Sequence, residues 1–252
     1  MSAIVIIPAR YDSTRFPGKP LALLKGKPLI RHVYENSMRS RLASGVVVAT
    51  DSHAVFDAVV SFGGRAVMTS AGHASGTDRI AEASATMDYD IIVNVQGDEP
   101  LIRPEMIDDV IDILGDERAS MGTLAKKIER RQEILDPNVV KAAFDKEGFA
   151  LYFSRAPIPY HRDAWKRPTP SYVYGSDSAV YKHIGIYSYR KDILMRLSKM
   201  PASRLEEIER LEQLRALEAG MRIKIRETSF DAIGVDTPAD MEKVEKCLNT
   251  SL

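Results

Sequence analysis

Between Arg10 and Lys19 the chain places Arg10, Ser13, Thr14, Arg15, Gly18 and Lys19 in one short run. Cationic heads, hydroxyls and backbone N–H groups exposed at a glycine together compensate the charge of a polyphosphate. The spacing is not G-x-x-x-x-G-K-[ST], so this is not a Walker A loop. A solvated basic surface loop is the plain alternative. Asp98 and Glu99 close an apolar run beside Gly97, and Asp236 follows another. Carboxylates at such ends hold a hard cation against phosphate oxygens, or Asp98 and Asp236 cap the helices that begin near Pro104 and Pro238.

Three further groups carry polar chemistry. Ser75-Gly76-Thr77 opens a helical stretch, where free N–H groups favour a polar or anionic ligand, or where Ser75 or Thr77 is only a cap. In His183-Ile184-Gly185-Ile186-Tyr187-Ser188-Tyr189 the period of two puts His183, Gly185, Tyr187 and Tyr189 on one face. A glycine between the histidine and the tyrosine leaves room for a ligand, whereas a lone strand histidine is commonly structural. Glu212, Gln213 and Arg215 lie on LEEIERLEQLRALEA, within the arc swept by Leu205, Ile208, Leu211, Leu214 and Leu217. They suit a hydroxyl-rich or carboxylate-bearing ligand, or Glu212 and Arg215 form an i,i+3 ion pair. Glu206 and Arg210 read as a solvated surface pair.

The elements that must position these groups follow from periodicity. Ile4 to Ile7 is a buried strand that Pro8 ends. Pro28 to Met38 is a helix, Val46 to Ala49 a strand, Ala54 to Phe62 a helix stopped by Gly63-Gly64, and Ala66 to Met68 a strand. A helix runs from the Ser75 segment to about Met87, and Asp90 to Val95 is a central strand. Met106, Val110, Ile111 and Leu114 give the next helix its apolar face. This alternation specifies βαβ units and a mainly parallel sheet, whose ligands bind beyond the carboxyl ends of the strands. From Ser120 the pattern turns β-rich: Met121 to Ile128, a short polar helix, then a hairpin of Val139 to Phe144 and Phe149 to Phe153. Residues 156 to 178, rich in Pro, Tyr, Arg and Ser with Trp165 among them, read as a substrate lid or a dimer arm. Leu205 to Ala219 is expected as one helix, Arg222 to Glu227 as a strand, and a helix closes the chain.

Composition narrows the function classes. Lys plus Arg equals Asp plus Glu at 35 each in 252 residues, so nothing attracts the whole molecule to nucleic acid or an anionic membrane. The apolar runs are strand-sized, far below the roughly 20 residues of a bilayer span, and the N-terminus enters a strand without a signal pattern. A cytoplasmic protein is expected. The single cysteine, Cys247, excludes an intramolecular disulfide and a multi-cysteine zinc site, and beside Val244 and Leu248 it reads as packing.

In chain order the segments PARYDSTRFPGKPL, HASGTDR, NVQGDEP, FSRAPIP, HIGIY, LEQLRALE and GVDTP resemble the 3-deoxy-manno-octulosonate (Kdo) cytidylyltransferases over almost the full length. The resemblance implies a single domain over 1–252 of the nucleotide-diphospho-sugar transferase type: an α/β, Rossmann-like, mainly parallel mixed sheet flanked by helices. It implies a β-rich excursion over about 120–190 that binds sugar and forms a homodimer. The implied reaction is CTP plus Kdo to CMP-Kdo plus diphosphate, for lipopolysaccharide synthesis, with Mg²⁺ as cofactor. On this sequence it implies that Ala9, Arg10, Ser13, Arg15, Lys19, Ser75, Gly76, Thr77 and Arg79 bind nucleotide. Asp98 and Asp236 hold the metal, and both act in catalysis with Lys19 and Arg10. Gln96, Arg155, His183, Tyr187, Glu212 and Gln213 receive the sugar. Phe16 stands where the family commonly has Leu, and Ser203-Arg204-Leu205 replaces Ser-Pro-Leu, which leaves open another acidic sugar such as 8-amino-Kdo. An inactive nucleotide-binding module is the non-enzyme alternative.

Overall fold

The computed structural model describes residues 1–12, 16–162 and 180–250. Its first strand, β1 (Ala3–Ala9), is buried on both faces, and its period of two divides the interior. Ala3, Val5, Ile7 and Ala9 join one apolar cluster, while Ile4 and Ile6 join the other. Around it lie β2 (Leu23–Leu24), β3 (Lys27–Pro28), α1 (Leu29–Ser37), β4 (Val46–Thr50), α2 (His53–Ser61), β5 (Ala66–Met68), α3 (Gly76–Ser84), β6 (Ile91–Asn94) and α4 (Pro104–Ile113). The second half adds β7 (Met121–Lys127), α5 (Arg131–Leu135), β8 (Lys141–Phe144), β9 (Ala150–Ser154), β10 (Tyr181–Arg190), α6 (Lys191–Leu197), α7 (Arg204–Glu209), α8 (Gln213–Glu218), β11 (Ile223–Glu227) and α9 (Pro238–Thr250).

Among the described residues the main sheet runs β11-β7-β10-β6-β1-β4-β5, with β8 and β9 branching from β10. Pairings β6/β1, β1/β4, β4/β5 and β7/β11 are parallel. β10 lies antiparallel between β6 and β7, so the sheet is mixed as well as mainly parallel. Helices α1, α2 and α4 bury one face of it, and α3, α6 and α8 bury the other. This is the three-layer arrangement that βαβ crossovers impose on a sheet with two apolar faces. The hairpin expected around Asp145 to Gly148 forms between β8 and β9.

Two elements depart from periodicity. Helix α3 ends at Ser84, a turn before Met87. The stretch Leu205 to Ala219 is two short helices, because Arg210 turns into the left-handed region at φ 54° between α7 and α8. Leucines at every third position set which side is buried, and say nothing of the corner. Most of the lid or arm expected over 156–178 lies outside the described residues.

Candidate active site

The carboxyl ends of β1 and β6 converge on one cleft. A Cβ at Gly97 would lie 2.8 Å from the Pro8 carbonyl oxygen, so only glycine lets the chain after β6 pass this close to the end of β1. The cleft, about 530 Å³, is lined by Ala9, Arg10, Lys19, Ser75, Gly76, Gln96 and Asp98, with Pro8 and Asp12 beside them. Gly18 sits at φ 69° and donates its N–H to the Tyr11 carbonyl, which closes the loop and starts the 3-10 turn of Lys19. The Lys19 ammonium then reaches Asp98 Oδ2 at 2.5 Å and Asp236 Oδ1 at 3.6 Å. The two carboxylates are brought together by the backbone, since Val235 N–H donates to the Asp98 carbonyl at 2.9 Å. Arg10 is turned to the His73 carbonyl at 2.7 Å.

Lys19 supplies the positive charge between Asp98 and Asp236, so the donor set fits a hard divalent cation. Among the described residues no three His, Cys, Asp or Glu cage a metal. A cation here would therefore complete its shell with phosphate oxygens and water, as Mg²⁺ does. At the far wall Ser75 and Asp78 form a capping box, which aims the N-terminus of α3 into the cleft.

A second cavity, about 270 Å³, shares Gly76 and Gln96 with the first. Thr77, Asn94, Gly185, Tyr187, Tyr189, Glu212 and Gln213 line it. Its sheet wall is shaped by a bulge: β10 pairs Ile184 with Leu124, then Tyr187 with Thr123. The Thr123 hydroxyl donates to the Ile186 carbonyl at 2.7 Å and so accepts from His183 Nε2–H at 2.9 Å. Burial pushes the Tyr187 phenol well up, and Tyr189 likewise, helped by the nearby Glu212 charge. Desolvation also raises the Glu212 carboxyl, against the hydroxyls of Thr77 and Ser75 and the Arg215 charge. The cavity is thus a desolvated set of hydroxyl, amide and carboxyl groups joined to a cleft of ions.

A family model for cytidylyltransferases matches residues 4–223. The chain belongs to the cytidylyltransferase family. It is 53% identical to a 3-deoxy-manno-octulosonate cytidylyltransferase of Thermodesulfovibrio yellowstonii, with 99% of each chain covered. It is 54% identical to that of Geobacter sulfurreducens over 97% of this chain and 98% of the other. A solved CMP:2-keto-3-deoxy-manno-octonic acid synthetase complexed with CTP superposes with TM-score 0.91, 42% identity and full coverage of both chains.

In this cytidylyltransferase the expected site residues do not all reach the two cavities. Arg79 is a correction: its guanidinium is fully buried and bonds Asp51 at 2.7 Å and Thr69 at 2.6 Å, tying α3 to the ends of β4 and β5. Arg155 is bonded to the carbonyls of Pro137 and Glu209 and does not line the cavity. His183 is packed between Phe153 and Tyr187, and desolvation lowers its imidazole to about 3. Glu99 turns inward, where burial, with Asp98 adding to it, pushes its carboxyl up to about 8. Arg215 forks onto Glu206 at 2.6 and 2.7 Å, so it neither lines the cavity nor pairs with Glu212, and Glu206 is not a surface partner of Arg210. The backbone N–H of Asp236 donates to Asp240, which caps the start of α9 in its stead. Ser13 and Arg15 lie outside the described residues.

Sequence reasoning missed Asn94, whose buried Oδ1 has no partner among the described residues. A polar side chain closing an otherwise apolar central strand was its one signal. Arg204 is exposed at the first position of α7, where the family's proline would also fit, and it does not line the cavity.

Proposed function

We propose that this cytidylyltransferase joins CTP and Kdo to give CMP-Kdo and diphosphate, the activated sugar used in lipopolysaccharide synthesis. The observation that carries the reading is the junction at Gly76 and Gln96, where an ion-lined cleft opens into a cavity of hydroxyl, amide and carboxyl groups. Lys19 and Arg10 hold the triphosphate, with Ser13 and Arg15 of the same loop, and Ala9 lies beside the nucleotide. Ser75, Gly76 and Thr77 present backbone N–H groups across the junction. Gln96, Tyr187, Glu212 and Gln213 orient the sugar so that its anomeric hydroxyl faces the α-phosphate in line with the departing diphosphate.

No side chain here needs to act as a covalent nucleophile. Lys19 and Arg10 stabilise the charge that builds on the departing diphosphate. Asp98 and Asp236 would hold Mg²⁺, which when bound neutralises phosphate charge and acidifies a hydroxyl beside it. Tyr187 and Tyr189 exclude water, which would otherwise compete for the α-phosphate. Arg204 is exposed and does not line the cavity, so the departure at Ser203-Arg204-Leu205 gives no ground for preferring 8-amino-Kdo to Kdo. A homodimer through the arm at 156–178 accords with exposed Leu151 on the strand before it and exposed Tyr160 in its described part. A cytoplasmic location accords with CTP as a substrate.

Diphosphate release over a panel of CTP, UTP and ATP against Kdo, 8-amino-Kdo and sialic acid tests the reading, with and without Mg²⁺. Release with CTP and Kdo alone, dependent on Mg²⁺, is expected. Preference for another sugar moves the assignment to that sugar, and no release with any pair overturns it in favour of a binding module.

A further inference from the structure

A continuous α-helix across residues 205–219 would give the Glu209 carbonyl to Gln213 N–H and the Arg210 carbonyl to Leu214 N–H. Instead Arg155 Nε donates to the Glu209 carbonyl at 2.7 Å, and its Nη2 points to the Arg210 carbonyl at 3.5 Å. Leu214 N–H turns to the Leu211 carbonyl at 3.1 Å and opens a new helix. The left-handed Arg210 makes the corner, and the residues just beyond it, Glu212 and Gln213, are the ones that line the sugar cavity. One guanidinium thus takes over acceptors that would otherwise carry the helix straight on.

Arg155 is itself held on every side. Its N–H donates to Glu209 Oε2 at 2.9 Å, and Ser154 Oγ donates to Oε1 of the same carboxylate at 2.6 Å. Its Nη1 bonds the Pro137 carbonyl at 2.9 Å. Its own carbonyl accepts from the Lys141 ammonium at 2.6 Å, and that ammonium also bonds the carbonyls of Val139 at 2.6 Å and Asp136 at 3.0 Å. Lys141 is fully buried, and desolvation lowers its pKa. A buried ammonium is costly unless its donors are met, and here three carbonyls meet them. The clasp therefore runs from the β8/β9 hairpin to the α7/α8 corner.

We propose that Arg155 is a positioning residue for the sugar cavity: it holds the Glu209-Arg210 corner open so that α8 begins with Glu212 and Gln213 facing the ligand. This rests on the sugar-binding reading above. A direct contact with the sugar carboxylate would instead require the guanidinium to leave these carbonyls.

Arg155→Ala and Arg155→Lys, measured for sugar and for CTP, test the assignment. Arg155→Ala is expected to raise the KM for Kdo about 10-fold or more, with the Kd for CTP unchanged. Binding of Kdo and of its carboxyl-reduced alcohol should weaken by the same factor. Arg155→Lys, which keeps the charge but not the fork, should fall between, and it carries the test should the alanine variant not fold. Weakening confined to the carboxylate-bearing sugar, or an equal loss of CTP affinity, overturns the proposal, as does unchanged kinetics. Hydrogen exchange in the absence of any ligand separates this from the assignment of Kdo. Amides of 211–218 should exchange faster in the variants while those of 76–84 do not, whichever sugar the wild type uses, and unaltered exchange at 211–218 overturns the proposal.

Discussion

The nucleotide cleft and the sugar cavity meet at Gly76 and Gln96 and are built on opposite principles. In the cleft the charges are formed and already matched: Lys19 lies between Asp98, in the turn after β6, and Asp236, just before α9. In the cavity charge is made costly, for desolvation shifts Tyr187, Tyr189 and Glu212 toward their neutral forms. Matched ions can exchange partners with an incoming triphosphate at small cost, because one charged contact replaces another. Desolvated groups gain their full bonding only when a ligand of the right pattern arrives, which is where selectivity comes from. On the proposed reading, the cleft supplies reaction chemistry and the cavity supplies the choice of acceptor.

The sharpest break of this contrast is at Asp98. Asp98→Asn keeps the shape and one oxygen but removes the charge that both Lys19 and a divalent cation would answer. Turnover should fall on the order of 10³-fold, with the far-ultraviolet circular dichroism unchanged. Near-normal turnover at saturating Mg²⁺ would remove Asp98 from the chemistry and with it the contrast.

A smaller effect is expected across the junction. Glu212→Gln should raise the KM for Kdo by about 10-fold to 100-fold, the range for a hydrogen bond to a charged acceptor, and leave CTP binding alone. Because desolvation raises the Glu212 carboxyl, the wild type should lose kcat/KM for sugar as pH falls through that raised value, while the glutamine variant lacks this limb. A profile identical in the two proteins would mean that Glu212 does not act as a carboxylate. A loss of CTP affinity in the variant would mean that the two regions are one.

What could be read from the sequence follows the same line. The gathering of Arg10, Lys19, Gly97 and Asp98 into one cleft was legible because these residues follow apolar runs that become β1 and β6, neighbours in the sheet. The sheet was legible because apolar runs such as Val46 to Ala49 admit few other structures. Arg79, Arg155 and Arg215 are held away from the two cavities because an arginine serves a buried carboxylate or a set of carbonyls as well as it serves a ligand. Which of these it meets is decided by residues far away in the chain: Asp51 for Arg79, Glu209 for Arg155. The break at Arg210 was hidden for the same reason, since the proposed cause, Arg155, lies just past β9.

The smallest effect concerns His183, at the back of the cavity, and it separates structure from binding. Desolvation holds its imidazole near 3, below the 6.5 of an unfolded chain. Between those values the unfolded state binds a proton that the folded state refuses, so stability rises with pH across the window and is lost as pH falls toward 3. The slope from this one group is at most about 1.4 kcal/mol per pH unit. His183→Gln retains a donor for Thr123 without the titration, so its melting temperature should fall less steeply than that of the wild type on acidification from 6.5. At pH 7.5 its KM for Kdo should match the wild type, because the ring bonds Thr123 and lies against Phe153 and Tyr187 without lining the cavity. A large rise in that KM, with parallel melting curves, would place His183 on the sugar after all and make the cavity wall more polar than its present lining.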